Sequence, residues 1–489
     1  MLTMKIRVIF SVAVIGTFVL PYSQAWIPQS QKRLFIVRSS SSGASVSLSS
    51  STSINNNIVL QPSADESAFD SFKIGGARVH RYSSRDQDPA DSQTEYVMWY
   101  HGRTQEMGAD PSLPPLSTGR IGRATSRNGL HWIKDEIGSA SEDRPDVSLG
   151  LNTEAWWGFD TAHVGLGNVL LPMSTPAVMT EGGVYLMYFM GGNKEETLIA
   201  DYMDKAVPES MQNAKIQGMR MKIGVAVSQD GITWGRVEGD DPSGAILSPW
   251  DKADPNQQSA YASAGGFDEE LYCAWPDVVT NIGGSKESSF LMYYSTMTKK
   301  DKKKCIAYAV SGDGFRWTRK GICLKPDEDT MDAGGCARCS VIRDALFDQE
   351  KGTWVEQNTW TMYYEGVSLS DNKHRILAAK SRDGGKTWTK TGLALDVGAN
   401  DDAWDFGGVG SPHVIRYVLN SDCVPGLNVN SSLTCFWARM DDGAVRMYYT
   451  GQDVGGKTAI GVAKLSNDEG PSHWVREQAT ISFANSDKC

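Results

Sequence analysis

Two acids in this chain stand beside aromatic side chains: Asp277 in "WPDVV", two residues after Trp275, and Glu365 in "MYYEG", directly after Tyr364. Two carboxyl groups in unlike surroundings can divide acid–base work, because enclosure by apolar rings raises one pKa toward the working pH and leaves the other group ionised. Here Glu365 is the expected donor and Asp277 the base or nucleophile. Arg78, Arg338 and His413 could hold an anion, His101 and Asn168 add polar contacts, and Tyr100, Trp275, Tyr364 and Trp404 offer flat apolar faces. These side chains matter together only if the fold brings them together.

The elements that would do so are repeated. The dense stretch "SRDGGKTW" at 381 returns as "SRNGLHW" at 126, "SQDGITW" at 228, "SGDGFRW" at 311 and, degraded, "SNDEGPSHW" at 466. A period of this kind is the mark of a repeat architecture. Each copy follows an alternating apolar segment ("RIGRAT", "KIGVAV", "CIAYAV", "RILAAK", "AIGVAK"). Upstream lies an aromatic one ("YVMWYHG", "VYLMYFMG", "FLMYYST", "WTMYYEG", "VRMYYTG"). Period-two patterning rich in aromatic and β-branched residues predicts half-buried antiparallel strands. The Ser-x-Asp-Gly-x-x-Trp segment then reads as a hairpin, in which Ser and Asp satisfy turn amides, Gly supplies positive φ and Trp packs between sheets.

A further strand opens each unit, led by Asp70, Asp160, Asp268, Asp332 or Asp405. Four strands per unit, five times over, predict an all-β fold, a five-bladed β-propeller over residues 65–489. A sandwich does not explain a repeat that includes its own hairpin. Five equal leading acids suit a turn or cap, with a ligand or ion ring as the other reading. Equivalent positions that vary are more informative. Arg78, Asn168, Asp277, Ser340 and His413 precede the apolar residue of the first strand; His101, Met190, Ser295, Glu365 and Thr450 end the second. Facing the axis, they make an asymmetric polar pocket; the other possibility is that one set points between blades. Long connections at 103–119 and 191–220, the latter with a helical pattern, are expected to narrow the mouth, which suits a small or chain-end ligand.

The hairpins resemble the Asp-box of sialidases. Five units with "MYYxG" strands resemble the arabinanase, levansucrase and invertase superfamily, with glycoside hydrolase families 43, 32 and 130. The resemblance implies a carbohydrate ligand in an axial funnel and hydrolysis by two carboxyl groups flanking the glycosidic bond. The family's D-P-x-V aspartate does not carry over: Gly76, Trp275 and Arg338 stand at the positions where acids are usual. That departure favours the alternative of a propeller that binds a glycan or protein without catalysis. Phosphorylase or transferase chemistry would need an anion site.

The ends and totals add limits. A net charge of −10 argues against a nucleic-acid partner, and the basic run 299–304 reads as a solvated loop tip. Residues 1–25 have the form of a signal peptide, and the Ser-rich, acid-free stretch 26–64 has that of a transit peptide or linker. Together they predict a plastid protein, with secretion as the alternative, and no membrane span in the mature chain. Cys305 with Cys323, and Cys423 with Cys435 around a sequon at Asn430, could form disulfides. "CARC" at 336 lacks a second ligand pair for zinc. No cofactor is expected, and a calcium ion on the axis is left open.

Overall fold

A four-stranded antiparallel sheet that is apolar on both faces has to be covered on both sides. In the computed structural model, five such four-stranded units among the described residues stand side by side and cover one another. The structure describes residues 57–83, 94–105, 118–136, 147–171, 184–203, 212–254, 268–281, 285–348, 353–415, 445–466 and 473–477, with 209 and 257.

Unit I comprises Lys73–Ser83, Thr94–Arg103, Arg120–Ser126 and Ile133–Lys134. Unit II comprises His163–Leu170, Tyr185–Gly192, Lys222–Ser228 and Gly235–Val237. Unit III comprises Glu270–Thr280, Phe290–Thr298, Lys304–Ser311 and Thr318–Leu324. Unit IV comprises Gly335–Asp348, Thr353–Val367, His374–Ser381 and Thr389–Leu395, and unit V Gly408–Ile415, Arg446–Gln452, Thr458–Leu465 and Trp474–Arg476. Within each unit consecutive strands pair antiparallel. The first strand of each unit packs on the first strand of the next, and that of unit V on that of unit I, so the units close a circle.

The core lies between units. Trp99 and Ile121 of unit I meet Val164 and Met187 of unit II, and Tyr188 and Ile223 meet Val278 and Tyr294 of unit III. Tyr293 meets Val341 and Met362, Tyr363 meets Val409 and Met447, and Tyr448 and Ile460 return to Val79 and Tyr96. The radial repetition and the inward-facing first strands make this a β-propeller.

The Ser-Asp-Gly-Trp hairpins are fasteners, as expected. In "SQDGITW", Asp230 Oδ1 accepts the amides of Ile232 and Thr233, Ser228 Oγ accepts that of Gly231, and Gly231 has φ +70°. In units I to IV the hairpin glycine carbonyl then accepts a bond from the second strand of the preceding unit. Trp99 Nε1 donates to Gly231 O at 2.9 Å, Tyr188 Oη to Gly314 O at 3.1 Å and Tyr293 Oη to Gly385 O at 2.7 Å. Tyr448 Oη donates to Gly129 O at 2.8 Å and so ties the last unit to the first.

The leading aspartates are structural too. Asp70, Asp160, Asp332 and Asp405 are buried and pair with Lys134, Arg236, Lys390 and Arg476 from the fourth strand of their own unit. In unit III the role passes from Asp268, which is exposed, to Glu270, paired with Arg319. No ring of acids faces a ligand.

Several expectations are corrected. Ile58–Leu60 forms a strand beside the third strand of unit V, and the Asn57 side chain bonds Tyr449 Oη and Trp404 Nε1. The packed domain therefore includes residues ahead of 65. The helical pattern in 191–220 gives a two-stranded ribbon, Glu196–Leu198 with Lys215–Gln217, and a 3-10 turn at Ile199–Tyr202. Cys305 and Cys323 are free thiols. Residues 1–56, which hold the expected signal peptide and most of the Ser-rich stretch 26–64, most of the 103–119 connection, and Cys423, Asn430 and Cys435 lie outside the described residues.

Candidate functional site

Every first strand carries a β-bulge at the same level. In units I, III, IV and V two residues oppose one on the second strand: Gly76-Ala77 against Tyr100, Trp275-Pro276 against Tyr294, Arg338-Cys339 against Tyr364, and Ser411-Pro412 against Tyr449. Unit II has a single extra residue, Gly167. The first residue of each two-residue bulge has positive φ: Gly76 +60°, Trp275 +47°, Arg338 +45° and Ser411 +48°. Three of these are not glycine, and such strain persists only where the surroundings impose it, commonly at functional sites.

The two variable sets flank this bulge. The residues just before it, Gly75, Gly165, Ala274, Ala337 and Gly410, pair with His101, Met190, Ser295, Glu365 and Thr450. Small residues are needed there because the second-strand side chain leans across to the following unit. A Cβ on Gly410 would stand 2.0 Å from Glu365 Oε2, and one on Gly75 2.6 Å from Thr450 Oγ1. The leaning side chain accepts the amide that the bulge frees. Ser295 Oγ takes Arg338 N–H at 2.8 Å, Thr450 Oγ1 takes Gly76 N–H at 3.0 Å, and Glu365 Oε2 takes Ser411 N–H at 3.0 Å.

The set after the bulge also points between units. Asn168 Nδ2 donates to Val278 O at 2.8 Å and Asp277 Oδ2 accepts Val341 N–H at 2.8 Å. Ser340 Oγ accepts Val414 N–H, and His413 Nε2–H donates to Val79 O, both at 3.2 Å. His80 completes the belt by donating to Val169 O at 2.8 Å. Asp277 therefore belongs to a clasp: its Oδ1 also accepts from Asn168 and faces Arg78 Nη2 at 3.8 Å. Burial raises its pKa to about 6, against the opposing pull of Arg78.

Glu365 is different in kind. Where units III and V manage with hydroxyls, unit IV buries a carboxylate and surrounds it with hydrogen-bond donors. Arg338 Nη1 bonds both carboxylate oxygens at 3.1 Å, and His374 Nδ1–H donates at 2.6 Å. Burial pushes the Glu365 pKa up, but Arg338, His374 and Lys304 outweigh it and hold the carboxyl well below its usual range. A proton donor needs the reverse. The expected role of Glu365 as donor is corrected accordingly: it is a permanently charged acceptor.

What the structure does assemble is Trp275, Arg338 and Glu365. The Arg338 guanidinium carbon lies 4.4 Å from the centre of the Trp275 ring, while its Nε and Nη2 bond no described residue. Arg338 is 7% exposed. His101 leans over Gly165 into the same region with no partner for Nδ1, and burial and nearby arginines lower its pKa to about 3, leaving it neutral. Lys304, Arg103 and His163 influence this group electrostatically; burial first, then Arg338, brings Lys304 down to about 8.

The other expected residues do not join them. Tyr364 donates to Asp332, Tyr100 to Asp70, and Trp404 stacks on Tyr449, all inside the sheets. Asn168 and His413 serve the clasp. Arg78 is buried on Ala77 O, Pro412 O and Asp277. Lys304 and His374 escaped the sequence reading because they open third strands. They stand at one register position with Thr458, opposite Met297, Val367 and Gln452. Comparing that position across repeats, as for the other two sets, would have found them. Lys304, read as part of a solvated run, is partly buried.

No family model and no curated protein matches the chain. The solved structures it resembles include glycoside hydrolases and a phosphorylase. A β-1,2-mannobiose phosphorylase from Listeria innocua is 13% identical over 84% of this chain and 95% of its own, with a TM-score of 0.49. A structure described as a glycoside hydrolase gives 16%, 84%, 90% and 0.47, and an endo-arabinase from Bacteroides thetaiotaomicron 10%, 84%, 99% and 0.41.

Proposed function

We propose that this is a carbohydrate-active propeller of glycoside-hydrolase type that receives a saccharide bearing an anionic group at its axis and acts by binding it. The observation that carries this reading is Arg338: a strained, nine-tenths buried guanidinium, braced by Glu365 and laid on Trp275, with two nitrogens left for a ligand. A planar fork of donors suits a carboxylate, sulfate or phosphate, and Lys304 adds charge beside it. The indole face provides an apolar wall of the kind that sugar rings pack against. Both expected catalytic carboxyl groups serve interfaces between units, which supports binding over cleavage.

The test is calorimetric titration with paired probes, trigalacturonate against galactotriose and glucose 1-phosphate against glucose, alongside reducing-sugar release from the trisaccharides. At least one anionic probe is expected to bind ten times or more tighter than its neutral partner, with the difference abolished in Arg338→Gln. Equal affinity within both pairs would refute the reading. Reducing-sugar release that disappears in Glu365→Gln would restore hydrolysis.

A further inference from the structure

Unit II departs from the others at its leading aspartate. In units I, IV and V the tyrosine that ends the second-strand aromatic run donates its hydroxyl to the leading aspartate: Tyr100 to Asp70, Tyr364 to Asp332 and Tyr449 to Asp405, at 2.8, 2.9 and 2.9 Å. Unit II has Phe189 there. Asp160 Oδ2, the oxygen that takes the tyrosine hydroxyl in units I, IV and V, keeps the bond from Arg236 Nε at 2.6 Å. Its other oxygen, Oδ1, is the only buried carboxylate oxygen among the described residues with no hydrogen bond. Such a group calls for an explanation, because leaving it unmet is costly.

Asp160 lines a cavity of about 370 Å³, together with Asn152, Trp157, Arg236, Glu238 and Ser243. That size is within the range of small-ligand sites. Asn152 Nδ2, a donor, and Asp160 Oδ1, an acceptor, lie on the same side of Gly158: a Cβ there would stand 3.0 Å from Asn152 Nδ2 and from Ala155 O and 3.1 Å from Asp160 Oδ1, so the two side-chain atoms are neighbours. A hydroxyl group is both donor and acceptor and answers both atoms at once. The loop that carries Gly158 also presents two tryptophans to solvent, Trp156 at 87% and Trp157 at 41% exposure. Large aromatics so exposed beside a polar cavity mark a binding surface.

We infer that unit II carries a second binding site, for a neutral saccharide, in which Trp156 and Trp157 stack on sugar faces and Asn152 and Asp160 receive a hydroxyl. The chemistry is that of a polyol with apolar ring faces: flat indoles outside, paired hydrogen-bonding groups within, and the buried charge of Asp160 matched by Arg236. The site does not depend on the axial reading, since it shares no residue with it.

The experiment titrates the full chain with cellohexaose, laminarihexaose, xylohexaose and mannohexaose, following tryptophan fluorescence and ligand-observed NMR. The proteins are wild type, Arg338→Gln, the double variant Trp156→Ala/Trp157→Ala, and Gly158→Ala. At least one hexasaccharide is expected to bind wild type and Arg338→Gln alike and to weaken tenfold or more in the tryptophan variant. Gly158→Ala keeps the indoles but fills the space between Asn152 and Asp160, and is expected to weaken binding as well. The inference is overturned if none of the four binds, if the tryptophan variant binds as wild type does, or if Arg338→Gln alone abolishes binding. A second protein captured on this face, with no sugar bound, likewise overturns it.

Discussion

Replacing Glu365 by Gln tests the charged clamp directly. The carboxylate accepts Arg338 Nη1 on both oxygens, His374 Nδ1 and the Ser411 amide. Glutamine retains one accepting oxygen and turns an NH2 group toward a set of donors. Two charge-assisted bonds are lost, each worth about 1.5–3 kcal/mol, and a buried guanidinium loses its counter-charge, for which breaking a buried pair costs about 3–5 kcal/mol. These are two descriptions of one loss, so the expected destabilisation is about 3–5 kcal/mol, read from urea unfolding with an unchanged slope. Arg338→Met/Glu365→Gln should lose less than the sum of the single variants by about 2 kcal/mol, because the second change removes the stranded charge. The pH dependence follows from the lowered pKa of Glu365. The stabilisation is full above the unfolded glutamate value of about 4.3 and is lost as pH falls through the folded one, so wild type and Glu365→Gln converge in acid. A Glu365→Gln protein within about 0.5 kcal/mol of wild type at neutral pH would refute the clamp.

Other outcomes follow from the same geometry. Gly410→Ala drives a methyl group into the Glu365 carboxylate and should cost about 1–3 kcal/mol; combining it with Glu365→Ser, the residue type of the equivalent Ser295, should recover much of that in thermal melts. Lys304→Met should raise stability at pH 7 by about 1–2 kcal/mol, since a lysine lowered to about 8 is held charged at a cost, while weakening the axial anion. In wild type, anion affinity should fall as pH rises through about 8, measured by titration calorimetry. Phe189→Tyr should gain about 1 kcal/mol: the Phe189 ring carbon Cζ lies 2.9 Å from a Cβ placed on Gly224, as Tyr100 does for Gly122 and Tyr449 for Gly461, so the hydroxyl has room to reach Asp160. For Asp277, raised to about 6, the native state gains stability as pH falls from about 6 toward its unfolded value near 4, a gain that Asp277→Asn should abolish in denaturation curves across that window.

The architecture was legible because it is written five times. Hairpin residues such as Ser228, Asp230 and Gly231 satisfy their own turn, so their local signal survives in each copy. The site was only half legible. Glu365 was picked out as a position where the repeats disagree, and Trp275 and Arg338 by side-chain type, yet the direction of these side chains was not readable. That direction depends on bulges that set two residues against one, and no alternation pattern shows this. Nor does a sequence show that Glu365 spans to Ser411 in the following unit, with Gly410 making the room. Tyr364 and Trp404 misled because aromatics that fill a sheet interface and aromatics that face a sugar have the same composition. Lys304 was hidden by the run it ends, which opens with Lys299 and Lys300 facing water.

The strand Ile58–Leu60, seated against unit V, has a consequence in time. The first packed residues of the chain bind partners made last: Asn57 waits for Trp404 and Tyr449, and Gly129 for Tyr448. A contact spanning nearly the whole length is slow to form, and a ribosome-bound chain has to hold its opening segment unpaired until synthesis ends. The protein is therefore most vulnerable just before completion, with one edge of unit I and the face of unit V uncovered. Any processing that removes a presequence has to stop short of Asn57, because a cut beyond it would remove the bonds to Trp404 and Tyr449 and leave the closure of the circle to contacts such as Tyr448 on Gly129.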